Sequence, residues 1–166
     1  MRAYEFITEG GWANPITQNT TITPALVNKA WAIMKNFEAQ VNQYIESKGL
    51  PPVEIAGTAG SSTYYQRDLE KNPAKEYGDI DVNLLVPKLP DMTNNANFTT
   101  YQKLIKEFCD GSSDYQTQNG TNVIFRIGSD YVQVDLVMSF YDSKEWVKAL
   151  APEWNVKGVL CNSLYS

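Results

Sequence analysis

Between Thr121 and Met138 two runs of alternating apolar residues flank Gly128-Ser129-Asp130, and this arrangement leaves the chain little freedom in how it pairs. A glycine opening a two-residue loop is the signal of a tight β-hairpin. With Gly128 and Ser129 as the loop, Ile127 faces Asp130 and Asn122 faces Asp135. That register gathers Val123, Phe125, Ile127, Val132, Val134 and Leu136 on one side of the ribbon. Asn122, Ile124, Arg126, Tyr131, Gln133 and Asp135 fall on the other. A slip of one residue would mix the two sets, so the apolar pattern selects the register. Asp135 therefore lies in mid-strand on the face turned away from the core.

A second strand is expected over Asp79 to Val86, with Ile80, Val82, Leu84 and Val86 alternating against Asp79, Asp81, Asn83 and Leu85. Its two aspartates point the same way, away from the core. Val53 to Gly57 reads as a short strand that runs into the turn Gly57-Thr58-Ala59-Gly60-Ser61-Ser62. Helical spacing is clearest after Thr23, a capping residue followed by Pro24 at the first helical position. Leu26, Ala30, Ile33, Met34, Phe37, Val41, Tyr44 and Ile45 form its apolar stripe, and Gly49 is its stop signal. A further helix is expected from Thr99 or Thr100 to about Cys109, carried by Tyr101, Leu104, Ile105 and Phe108. Asp142 and Glu145 make a capping pair for a short helix before Pro152. Residues 1–22 read as an N-terminal arm. Residues 157–166 read as the opening of a helix that stops abruptly, as in a truncated chain.

Composition removes several kinds of chemistry. The 166 residues include no histidine, which excludes Ser-His-Asp hydrolysis, Cys-His proteolysis and histidine-ligated zinc. Catalysis, if present, rests on carboxylates. A net charge of −5 argues against a broad basic surface for a nucleic-acid backbone. The two cysteines, Cys109 and Cys161, form no paired metal motif, and a reduced cytoplasmic setting is the default expectation. No apolar run approaches membrane-spanning length.

The carboxylates point to a cation. At about 5 Å and an effective dielectric of about 20, each pair of aspartates repels by roughly 3 kcal/mol, so Asp79, Asp81 and Asp135 brought together are no stability device. In-line transfer of a nucleotidyl group uses two ions roughly 3.5–4 Å apart, held by a few carboxylates and substrate oxygens. Magnesium, or manganese in its place, takes such oxygen ligands. The Gly60-Ser61 turn offers backbone amides and a hydroxyl without a side-chain obstacle to phosphate.

A Gly-Ser turn, an Asp-x-Asp strand and a later single Asp are similar to the DNA polymerase β-type nucleotidyltransferase superfamily, with its poly(A), CCA-adding and cGAS-like branches. The resemblance covers roughly Val53 to Met138. It implies an α+β palm, a mixed sheet with helices packed on one face, extending over residues 23–156. It implies metal and catalytic roles for Asp79, Asp81 and Asp135. It also implies nucleotide contacts from Gly60 with either Ser61 or Ser62. Arg126, a cation on the carboxylate face, is the candidate to hold a phosphate or orient Asp135. Arg67, Lys71 and Lys75 could steer a triphosphate, but a solvated loop with mixed charges is the better reading of them.

The implied activity is magnesium-dependent transfer of a nucleoside monophosphate from a nucleoside triphosphate to a hydroxyl on an RNA 3′ end, a protein or a small molecule. The segment from Ser62 to Tyr77 is longer than in compact members and looks more like the cGAS-like branch, whose products are cyclic or linear oligonucleotides. Separately, Met1–Glu9 resembles the cleaved capsid-targeting leaders of internal head proteins of large contractile-tailed phages, with Ile7-Thr8-Glu9 as the cleavage triplet. That likeness implies packaging in a virion and a fold used with little turnover.

Overall fold

The computed structural model describes residue 17 and residues 20–141. Its elements run α1 (Pro24–Ser47), β1 (Glu54–Ala59), a 3-10 turn (Gly60–Tyr64), α2 (Tyr65–Lys71), β2 (Ile80–Val86), α3 (Asn94–Asp110), β3 (Asn122–Ile127) and β4 (Asp130–Phe140). The class is mixed α+β, as expected. The leader at residues 1–9, the rest of the arm to residue 16, the Asp142/Glu145 cap and the helical opening at 157–166 lie outside the described residues. Among the described residues no helix is long and apolar enough to cross a membrane.

The sheet has four strands in the order β1-β2-β4-β3. β1 with β2 and β3 with β4 are antiparallel, whereas β2 and β4 run parallel, Ile80 opposite Val134 through Val86 opposite Phe140. A parallel pair needs a long crossover, and here it contains α3 and β3. The β3–β4 hairpin takes the register that its apolar pattern selects, with Ile127 opposite Asp130 and Asn122 opposite Asp135.

One face of the sheet carries the helices. Ile55, Ile80, Val82, Leu84, Val86, Val123, Phe125, Val132 and Val134 share a buried cluster with Val27, Ala30, Met34, Phe37, Val41 and Ile45 of α1 and with Tyr101, Leu104 and Ile105 of α3. Phe37, fully buried, meets Phe108 and Tyr115 edge-on, at 5.9 and 5.0 Å between centroids. α1 begins where the sequence places it, the Thr23 hydroxyl accepting from the Leu26 amide with Pro24 as first residue.

α1 also seals the outer edge of β1. The Asn42 side chain accepts from the Val53 amide and donates to its carbonyl, while Glu38 and Lys35 do the same for Ile55. At the opposite edge, Gln116 exchanges both backbone hydrogen bonds with Ile124 of β3.

Several expectations change. α3 starts at Asn94 under a Thr93 cap rather than near Thr100. Its asparagine-rich first turn lacks an apolar stripe because Asn97 is buried by hydrogen bonds to the Leu89 amide and the Pro87 carbonyl. The long segment after Ser62 is helical through Lys71, in the 3-10 turn and α2, and only residues 72–76 form the exposed loop expected there. β2 begins at Ile80, leaving Asp79 just outside the ladder. Asn83 and Leu85 are buried, so only the Asp79 end of that face opens to solvent. Ile22, at the end of the expected arm, bridges to Tyr77.

Candidate metal centre

Parallel pairing of β2 with β4 sets Asp81 directly beside Asp135, one interstrand spacing of about 4.8 Å apart. Asp79, two residues earlier on the same side, converges on them. Carboxylate oxygens of all three lie within 4.8 Å of one another. None of the ion pairs among the described residues reaches the trio.

β1 brings the Gly-Ser turn to the same place. Its register shifts between Ile55 and Gly57, and Ala59 then ends opposite Asp81. A bulge of this kind re-aims the end of a strand. Gly60 follows with φ +64°, and a Cβ there would stand 2.6 Å from Asp81 Oδ2. Only glycine allows the backbone so near the carboxylate. Ser61 is exposed at this point, whereas Ser62 is fully buried with its hydroxyl donating to the Ala59 carbonyl at 3.2 Å. Of the two serines, Ser61 is thus the one turned to solvent.

Gly60→Ala is expected to cost about 1–2 kcal/mol for the left-handed backbone and to displace the Asp81 carboxylate as well. Denaturant midpoints and manganese titration of the same variant check both effects. An alanine variant of native stability and native affinity would remove the case for this contact.

Asp135 has a partner that its strand pattern shows only as a neighbour on the same face: Gln133 Nε2 donates to its Oδ1 at 3.0 Å. Arg126 is not brought to the cluster. It shares the Asp135 face as the register requires, but it lies four residues beyond Asn122, about 13 Å along the strand. Its Nε donates to the Gly128 carbonyl of the hairpin turn at 2.6 Å. In this structure the Arg126 Nε meets the turn and not Asp135.

Burial and crowding tune the acids. Desolvation first, then the charges of Asp79 and Asp135 and a hydrogen bond with Asp79, push Asp81 up to about 7. Desolvation and the Asp79 charge raise Asp135 to about 6, against the lowering effect of the Gln133 hydrogen bond. An unfolded aspartate titrates near 4. Between about pH 4 and 7 the native chain therefore holds protons that the unfolded chain has released, and its stability falls as pH rises through that window. The metal-free Tm is expected to drop from pH 5 to pH 8 in chelator, and to drop less in Asp81→Asn. Equal slopes for the two proteins would contradict the coupling.

Beside Asp79 and Asp135 opens a polar cleft of about 280 Å³, lined also by Thr20, Gly78, Tyr131 and Gln133. The centre thus has three acids on one side, a glycine turn against one of them, and a cleft against the other two.

No family model and no curated protein matches the chain. Two solved structures are similar to it at low level. Both are Leishmania infantum polymerase beta, one a ternary P/T complex (TM-score 0.34) and one a ternary gap complex (TM-score 0.33). Each is 16% identical over 73% of this chain, which spans 44% and 39% of those chains respectively.

Proposed function

We propose that the protein is a magnesium-dependent nucleotidyltransferase that moves a nucleoside monophosphate from a nucleoside triphosphate to a hydroxyl acceptor, breaking the α–β phosphoanhydride bond and releasing pyrophosphate. The observation that carries this reading is the convergence of Asp79, Asp81 and Asp135 within 4.8 Å. The donor set fits the ion: all oxygen, with Asp81 and Asp135 held in a protonation range that a divalent cation would reverse. Magnesium held by Asp79 and Asp81 beside Asp135 would supply charge to the phosphate oxygens and make an acceptor hydroxyl easier to deprotonate.

The chain's own residues do the rest. Asp79 and Asp81 hold the ions, and Asp135, oriented by Gln133, takes the acceptor's proton. The amides at Gly60 and Ser61, with the Ser61 hydroxyl, receive phosphate oxygens. Arg126 lies on the same face but apart from the trio, its Nε donating to the Gly128 carbonyl, so a contact from it would be to a part of the substrate away from the ions. The cleft against Asp135 gives the acceptor a place next to the base. Residues 23–156 form the catalytic domain in this reading.

Incubation with each labelled triphosphate and magnesium, with and without RNA, tests the proposal when the products are resolved. Metal-dependent labelled product that disappears in Asp135→Asn supports it. Product from nucleotides alone would identify an oligonucleotide synthase, and label on RNA an end-adding enzyme. No product with any triphosphate would leave the fold to a non-catalytic role such as that of a packaged phage protein.

A further inference from the structure

Asp79 is the least secured member of the trio. The β2–β4 ladder begins one residue later, at Ile80 and Val134, and the β1–β2 ladder ends at Ala59 and Asp81. Asp79 is exposed, and Gly78 before it has open space where a side chain would stand. A metal ligand on such a segment needs an anchor close by, because a carboxylate free to swing binds an ion weakly.

That anchor is Tyr77. Its ring is buried and its amide donates to the Ile22 carbonyl at 2.8 Å. Its hydroxyl donates to Asp68 Oδ2 at 2.6 Å. Asp68 is 4% exposed, which is rare for a carboxylate, and its other oxygen lies 3.5 Å from Arg67 Nη2. Asp68 belongs to α2, the helix that continues directly from the Gly60–Tyr64 turn. One hydrogen bond thus joins the helix that follows the turn beside Asp81 to the residue two before Asp79.

We propose that Tyr77 and Asp68 are positioning residues that fix Asp79, and with it the metal site, relative to the Gly60 turn. This inference rests on the metal-binding reading given above. A buried tyrosine-carboxylate pair contributes modestly to net stability. What it adds is direction, since a short charge-assisted bond holds its partners at one distance and angle.

The test compares manganese affinity, read from free Mn2+ by electron paramagnetic resonance, with the metal-free Tm of the full chain. Tyr77→Phe and Asp68→Ser break the bond from its two ends. Asp68→Asn keeps an oxygen to accept it. Tyr101→Phe is the control, because Tyr101 is also buried and its hydroxyl donates to the Pro51 carbonyl at 2.8 Å, away from the site.

All four variants are expected to lose some Tm. Only Tyr77→Phe and Asp68→Ser should weaken Mn2+ binding, by roughly 10- to 100-fold, while Asp68→Asn stays within about threefold of wild type. Either bond-breaking variant that folds decides the matter. Wild-type affinity in Tyr77→Phe or Asp68→Ser, or an equal loss in Tyr101→Phe, overturns the proposal and leaves the metal site standing. A wild-type protein that binds no Mn2+ at millimolar concentration overturns the site itself and this inference with it.

Discussion

Asp135→Asn is expected to lower nucleotidyl transfer by about a thousandfold while leaving the metal-free fold as stable as wild type or more so. The loss is the size associated with removing a positioned general base. The stability follows from burial: Asp135 is half-buried, its titration is raised by desolvation and the Asp79 charge, and its carboxylate accepts from Gln133 without an opposing cation. An asparagine at that place keeps the oxygen that Gln133 bonds and drops the repelling charge. Asp79→Ala and Asp81→Ala are expected to share the loss of activity, because each removes a metal ligand. Rates with labelled triphosphate and Tm at pH 8 in chelator, measured on the same preparations, separate the two effects. Variants that unfold would make the aspartates structural, and variants with undiminished turnover would remove them from catalysis.

The second large effect is ligand stabilisation. Magnesium or manganese together with a nucleoside triphosphate at a hundred times its Kd stabilises the native state by about 2.7 kcal/mol. For a chain of this size that is roughly 5–10 °C in Tm. The shift should be larger at pH 8 than at pH 5, because below about 7 protons on Asp81 compete with the cation. Thermal scans at both pH values, with metal alone, nucleotide alone and both, give the comparison. A Tm unmoved by millimolar metal and nucleotide at pH 8 would count against the whole site.

What the sequence discloses and what it hides divide on physical grounds. α1 is legible because Thr23, Pro24 and a 3.6-residue stripe all state the same thing locally. The hairpin is legible because a wrong register would expose Val132 and Val134 and bury Tyr131 and Gln133. α2 is not, because its stabilising contact is a buried charge whose partner, Tyr77, is nine residues away and outside any helical period. The first turn of α3 hides for a similar reason, since a buried asparagine stands where an apolar residue would signal.

At the site itself, local alternation places Asp79 and Asp81 together. Nothing local brings in Asp135, which becomes a neighbour through the parallel pairing of β2 and β4. That adjacency was open to inference only from a resemblance. Arg126 shows the limit of pattern in the other direction. Its face is correctly read, but the reach of its side chain along the strand is a matter of distance, which periodicity does not contain.

The sealed borders of the sheet bear on how the molecule meets copies of itself. A stranger adds to a β-sheet by pairing with a run of free outward amides. Here the outward amides at Val53 and Ile55 are spent on Asn42 and Glu38, and that of Ile124 on Gln116. Crowding therefore finds no template for lengthening the sheet by a fifth strand at these positions. At the rim of the acidic cleft, in turn, a second negatively charged copy is repelled.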